Sequence, residues 1–381
     1  MDASAFHVDS EVGRLRRVVV HRPGRELTAL GRAWPEEHSG HGEPNLARAQ
    51  REHDAFVDAL AHRGVHVYLF EDLFADVLDD EWARLWVLHC SGLGTRLREQ
   101  LAELPADRLA EVLVTGLTRG ELASGAESDL GLAVAAPEDF VLPPLPSHVY
   151  TRDPSCWFFG GRTLNPVADA VRHRESVHMA AVYRFHPLFA GQTTRFLTGE
   201  EDFGTLEGGD VLVAGPGVLL VGLSERTSPN MVQLLALRLF AREAARAVVV
   251  VQLPGPWAMN HLDAVLGMVD TSTYLVHDRL PPLRSFTLRP GRPRTLEVEE
   301  NDDLFVALAR ETGLPAARVL RAAASRPLAV EPGVVLSAER DVRGNATLRE
   351  HGIEVIELPG GALGGPRCLA CPLEREPSPE G

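Results

Sequence analysis

One pattern, met twice, restricts the fold more than anything else in the chain. Residues 210–223 (DVLVAGPGVLLVGL) are apolar on both sides of Gly215-Pro216-Gly217, which reads as a hairpin. A helical period follows over about 229–244, and 247–253 (AVVVVQL) returns to strand. Residues 328–338 (LAVEPGVVLSA) repeat the hairpin around Pro332-Gly333, with a helix at about 342–351 and a strand at 353–358 (IEVIEL). Both copies carry P-G-V-x-L and then a Glu-Arg pair, Glu225-Arg226 and Glu339-Arg340. A third stretch has strand 15–23, helix 45–63 and strand 65–70, and segments 147–190 and 257–290 offer two further units with weaker signals. A ββαβ unit cannot cover both faces alone, so such units stack as a solenoid or close in a ring. The expected class is α/β.

Residues 74–137 break the pattern. They lose the strand signal and become rich in Leu, Ala, Arg and Glu, which predicts an inserted bundle of about four helices. The chain therefore divides into an α/β body, 1–73 with 138–381, and an inserted helical subdomain, 74–137.

Composition removes several function classes. Acids outnumber bases 53 to 38, for a net charge of -15, and nucleic-acid binding needs the opposite balance. Every base is Arg, so Lys chemistry is excluded. No run approaches the ~20 apolar residues of a bilayer span. The first residues lack the basic and apolar stretches of an export signal, and the 4 Cys are too few for a disulfide framework. A cytoplasmic protein with free thiols is expected.

Chemically active residue types gather where strands end: Thr151-Arg152-Asp153-Pro154, Glu207-Gly208-Gly209-Asp210, His261-Leu262-Asp263 and Gly364-Gly365-Pro366-Arg367-Cys368. Each alone is weak, because Asp-Pro is usually a turn and Glu-Gly-Gly-Asp usually a loop. Cys368-x-x-Cys371 lacks the second pair of a zinc site, and Pro372 follows on an apparent strand rather than a redox helix. A single nucleophile, Cys368, with His261 as its activating partner, is the better reading.

Taken in order, VDSEVGRLRRVVVHRPGREL, RAQREHDAFVDALAHRGV, YTRDPS, VYRFHP, LEGGD, VGLSERT, HLDAVLGMVD, NATLREHGIEVIELPG and CLACPLERE resemble the arginine deiminase family of the guanidine-modifying (pentein) superfamily. The resemblance covers nearly the whole chain. It implies a propeller of five ββαβ modules with a helical insertion. It implies hydrolysis of the guanidinium of L-arginine or a modified arginine to citrulline or its analogue and ammonia, without metal or cofactor. By it, Asp153 and Asp263 clamp the guanidinium and Cys368 attacks its carbon to form an S-alkylthiouronium. His261 protonates the departing ammonia and then activates water, and Glu207 orients His261. Arg172 and Arg226 match the residues that hold the substrate carboxylate, Asp210 supports the site, Tyr150 is the aromatic of its FTRD-type motif, and Ser147 stands three residues before it. The implied partner is a small guanidine, with a dimer or tetramer of identical chains and with neither nucleic acid nor membrane.

Three stretches depart from the family's pattern. The Gly-Arg-Gly-Arg-Gly run before the nucleophile's glycines is missing, so the arginine that caps the pocket there is absent. Ser147 stands where Asn is usual. His38-Ser39-Gly40-His41-Gly42 replaces an acidic Phe-Asp-Asp stretch. All three belong to the amino-acid end of the substrate, so free L-arginine is expected to bind weakly. The alternatives are a deiminase of a modified arginine, an amidinotransferase, and a non-catalytic arginine-binding member. The HRPG, LEGGD and CLACP contexts rank the transferase lower, and the intact catalytic set weighs against the last.

Overall fold

A computed structural model of the protein describes residues 6–28, 45–122, 130–201, 203–255, 261–292, 294–314, 316–322, 326–361 and 363–377. The expectation for His38–Gly42 lies outside them.

Strand β1 (Leu15–Val20) leads to the helix Leu46–His62 and to β2 (His66–Leu69), which lies parallel to β1. Asn45 starts that helix by accepting the Arg48 N–H on its side chain. Helices Phe70–Leu78, Glu81–Cys90, Thr95–Ala102, Ala106–Thr115 and Leu130–Val134 follow, with a short antiparallel pair β3 (Leu117–Thr118) and β4 (Phe140–Leu142). The hairpin β5 (Ser155–Phe158) and β6 (Gly161–Leu164) precedes the helix His173–Phe185. Next come β7 (Val211–Gly215), β8 (Val218–Leu223), the helix Pro229–Ala241 and β9 (Ala247–Gln252). Strands β10 (Leu266–Asp270), β11 (Thr273–His277), β12 (Arg284–Pro290) and β13 (Leu296–Asn301) lead to the helix Leu304–Thr312 and β14 (Arg318–Ala322). The last unit is β15 (Leu328–Glu331), β16 (Val334–Ala338), the helix Val342–Glu350 and β17 (Glu354–Leu358). Finally β18 (Cys371–Arg375) returns to pair antiparallel with β1.

The same rule recurs. Strands β7–β8, β10–β11 and β15–β16 are antiparallel hairpins, and β8–β9, β11–β14 and β16–β17 are parallel pairs joined across a helix. The β18-β1-β2 sheet has the same order. In the β5–β6 unit the third strand has shrunk to a single parallel bridge, Arg162 to Arg195. Both hairpin turns expected from Pro-Gly are present, with Gly217 at φ +69° and Gly333 at φ +74°, where a side chain would be strained. The run Ala247–Val251 is buried throughout, as a strand flanked on both sides and covered by helices must be.

Two expectations need correction. Segment 257–290 does not make a whole unit: the helix and parallel strand that complete it lie at 304–322, because the β12–β13 hairpin interrupts it and joins the β7–β9 sheet. The helical stretch begins at Phe70, directly off β2, rather than at residue 74: Phe70 and Phe74 stack one helical turn apart, 5.3 Å between centroids, and are fully buried. The inserted helices share one apolar cluster with the body, running from Phe74 and Leu113 through Trp157 and Tyr183 to Val213 and Leu235. No described helix is long and apolar enough to cross a membrane.

This plan positions the site. The segments that precede β5, β7, β10, β15 and β18 are Tyr150–Pro154, Glu207–Asp210, His261–Asp263, Arg326-Pro327 and Gly364–Cys368.

Candidate active site

The entering segments converge because backbone meets backbone there. The Thr151 hydroxyl bonds the carbonyls of Val19 and Leu369, both at 3.1 Å, tying the Asp153 segment to β1 and to the Cys368 turn. At Gly208 a Cβ would stand 2.0 Å from the Arg152 carbonyl oxygen, and at Gly209 it would stand 2.4 Å from Nδ1 of His261. The Glu-Gly-Gly-Asp run is therefore a packing requirement of the site, since only glycine admits so close an approach.

Cys368, His261, Glu207, Asp153 and Asp263 come together, all buried. His261 Nε2 meets Glu207 Oε2 at 2.7 Å, and its Nδ1 lies 3.8 Å from Asp153 Oδ1. Asp153 is fully engaged: Oδ1 accepts the Gly209 N–H at 3.2 Å and Oδ2 accepts Arg172 Nη2 at 3.1 Å. Asp263 is not. Its Oδ2 accepts the Cys368 thiol at 3.3 Å and Arg367 Nη1 at 2.8 Å, while its buried Oδ1 has no hydrogen-bond partner. Asp210 faces backbone instead of the cluster's centre, accepting the Leu262 N–H and the Ser224 hydroxyl, each at 2.7 Å, which fixes the turn carrying His261 and Asp263.

Arg172 is buried among carboxylates, bonded to Glu175 and Asp153 and 3.3 Å from Glu207. Arg226 reaches the same Glu207 oxygen at 3.5 Å, with a third of its side chain (34%) open to solvent. The Tyr150 ring faces the turn at Gly364, and its phenol is shifted upward by burial and by the neighbouring Cys368 thiol. Ser147 lies one turn earlier in the short helix Pro146–Val149, its carbonyl accepting the Tyr150 N–H.

Charge and burial set the protonation states. Burial pulls His261 down, but the charges of Asp153, Glu207, Asp210 and Asp263 outweigh it and hold the imidazolium to about 9. Burial pushes Glu207 up, and His261, Arg172 and Arg226 reverse this to about 2. Burial and then Asp263 push the Cys368 thiol to about 12, against the pull of Arg326 and Arg367. The empty site thus holds a cationic His, an ionised Glu and a protonated nucleophile. A further cation beside the sulfur would favour the thiolate.

Three residues that matter here were missed by sequence reasoning. Arg367 is buried, its Nε on Glu11 at 2.9 Å and its Nη1 on Asp263, so it anchors the carboxylate beside the nucleophile. Glu11 is held at about 2, since Arg152, Arg367 and Arg375 together outweigh the burial that raises it. Arg326 places Nη1 at 3.5 Å from Cys368 Sγ and Nε at 3.5 Å from Asp263 Oδ1. The absence of the pocket arginine before the glycines thus coincides with an arginine arriving from another segment. The signal was available: every other entering segment carried a candidate, and the one before β15 carried none.

Asp153, Glu207 and His261 offer atoms within 4.8 Å of one another, close enough to hold a metal ion. Arg172 already bridges both carboxylates and Glu207 is bonded to His261, so a metal would have to displace a buried guanidinium. The donor set fits proton transfer better than metal binding.

Residues 41–375 match the family described as arginine deiminase. Among solved structures, dimethylarginine dimethylaminohydrolase from Pseudomonas aeruginosa, complexed with citrulline, is similar at 16% identity and a TM-score of 0.54, covering 94% of this chain and 99% of that one. SxtG, an amidinotransferase from Microseira wollei, is similar at 12% identity and a TM-score of 0.57, covering 99% of each chain. The N-terminal domain of ArgZ, a cyanobacterial arginine dihydrolase, is similar at 12% identity and a TM-score of 0.53, covering 94% of this chain and 98% of that one. At such identities these likenesses speak for the α/β fold they share.

Proposed function

The chain belongs to the arginine deiminase family, and we propose that it hydrolyses the guanidinium of L-arginine or a modified arginine to a ureido group and ammonia. The observation that carries this reading is Oδ1 of Asp263, a buried acceptor without a hydrogen bond, with the Arg326 guanidinium 3.5 Å away, in the carboxylate that also holds the nucleophile. A planar cation with paired N–H donors satisfies it and turns its carbon toward Cys368.

Guanidinium is resonance-stabilised and water attacks it slowly, so the site must supply a stronger nucleophile and a proton for the leaving group. Asp263 fixes the fork, and the fork's charge draws Cys368 toward thiolate, its proton passing to solvent because His261 is already cationic. The sulfur adds to the guanidinium carbon. His261, cationic below about 9, gives its proton to the departing nitrogen. Ammonia leaves, and the S-alkylthiouronium remains on Cys368. Neutral His261 then takes a proton from water, whose oxygen adds to the same carbon; the C–S bond breaks, the proton left on that oxygen passes to the departing sulfur, and the ureido product is freed as Cys368 returns to the thiol. Glu207 holds the imidazole in line through both steps. Arg226, a third open to solvent, is the cation placed to meet a substrate carboxylate. The recurring hairpin, helix and strand units, and their convergence on one site, support reading the fold as a ring of five modules.

The test is a substrate panel of L-arginine, Nα-acylated arginine, arginine amide and agmatine, with ureido product and ammonia measured together. Equal amounts of the two from at least one arginine support the reading. Amidine transfer to glycine without ammonia would replace it with amidinotransfer.

A further inference from the structure

Arg326 holds a position that a substrate also needs. Its backbone is fixed, since its carbonyl accepts the Arg367 N–H at 3.2 Å and Gly365 lies so close that a Cβ there would stand 2.2 Å from the Arg326 Cβ. Its side chain is 27% exposed, so one side of this long, flexible stem faces a way out. The guanidinium sits against the two atoms a guanidine substrate must use, the Cys368 sulfur and Asp263 Oδ1, at 3.5 Å from each. The Asp263 contact is too long for a good hydrogen bond, and Oδ1 remains without one. Arg367 contrasts with it: this neighbour is rigidly bonded on three sides, to Glu11, Asp263 and the Val211 carbonyl.

We propose that Arg326 is a specificity-determining residue whose guanidinium occupies the substrate's place on Cys368 and Asp263 in the empty enzyme and must be expelled before a guanidine can bind. The inference rests on the reading of this site as a guanidine site. Its consequence is discrimination by size. A small guanidine offers only the contacts Arg326 already makes, so it gains little by exchange. A guanidine carrying a carboxylate adds contacts elsewhere and displaces the tethered group.

The test reads the thiol directly and needs no turnover. Alkylation of Cys368 by iodoacetamide is followed by mass spectrometry of its peptide, with guanidinium chloride at millimolar concentrations as the competing ligand. The groups facing this thiol are Asp153, Asp263, Tyr150, Arg367 and Arg326, and pH is held constant. In R326A the concentration giving half-protection should fall about tenfold, the loss of one competing contact. R326Q keeps the length but not the charge and should behave like R326A, which guards against a folding defect in either. R326K, still a flexible cation, should stay near the parent. Equal half-protection in R326A, R326Q and the parent overturns the role of Arg326 alone. No protection in any of them overturns the guanidine site itself, and this inference with it.

Discussion

Asp153 and Asp263 are both buried carboxylates in the same cluster, and they are in opposite conditions. Asp153 has each oxygen taken, one by a backbone N–H and one by Arg172, and it stands on the His261–Glu207 side. Asp263 shares one oxygen between the thiol and Arg367 and leaves the other without a hydrogen bond, 3.5 Å from Arg326 Nε. The first half is complete without a ligand, as a proton-transfer device held at fixed geometry must be. The second half is left unfinished, so that a cation completes it and in doing so activates the sulfur. Recognition and nucleophile activation thus fall on the same carboxylate, and proton transfer on the other side.

The largest effect expected is at the nucleophile. Cys368→Ser should reduce turnover by about 10⁴ or more, the scale for removing a member of a nucleophilic catalytic set. Activity of the variant within tenfold of the parent would dissolve the assigned division.

Next, the two carboxylates should part company when neutralised. Asp263→Asn leaves Arg367 and Arg326 facing the thiol with one anion fewer, so iodoacetamide should alkylate Cys368 faster even as turnover falls by roughly a hundredfold or more. Asp153→Asn should lower turnover comparably and leave alkylation nearly unchanged. Each also takes one of several partners from a buried arginine, Arg367 keeping Glu11 and the Val211 carbonyl and Arg172 keeping Glu175 and Glu207, so melting temperatures should drop only modestly in both. The same alkylation response in the two variants would erase the contrast.

Glu207→Gln probes the proton-transfer side. The parent's activity should fall as pH rises through about 9, where His261 loses its proton. Removing the Glu207 charge lowers the His261 pKa, so the alkaline limb should move to lower pH. Stability follows the same signs. The His261 contribution is full below its unfolded pKa of about 6.5 and is lost as pH rises through the folded value. That of Glu207 is present above about 4.5 and is lost as pH falls through about 2. An alkaline limb that stays in place in the variant would detach Glu207 from His261.

The smallest effects belong to groups outside both halves. Cys371 bonds the Ser155 carbonyl on the core side, so Cys371→Ala should keep most of the activity. Treatment with EDTA should leave turnover intact. A stoichiometric metal lost together with activity would move Asp153, Glu207 and His261 from proton transfer to coordination.

Much of the architecture is legible because it is local. A Pro-Gly turn between apolar runs, a capped helix and a Val-rich strand each follow from neighbours a few residues apart, and they recur with the same order at 211–252 and 328–358. The β5–β6 unit was faint because its third strand is one bridge, and the β10–β14 unit because a hairpin splits it. Candidate residues in the entering segments were likewise visible as residue types, His-x-Asp and Glu-Gly-Gly-Asp among them. Their condition was not. Arg367 meets Glu11 across 356 residues, and Arg326 meets Cys368 across 42. Nothing in the spacing shows which oxygen of Asp263 stays without a hydrogen bond. Short-range backbone and side-chain preferences decide the units, so the sequence alone determined what is repeated and which chemical groups stand at each entrance. Burial and charge compensation act only once the units pack, so tertiary structure alone decided which carboxylate is satisfied, which one waits, and which arginine waits with it.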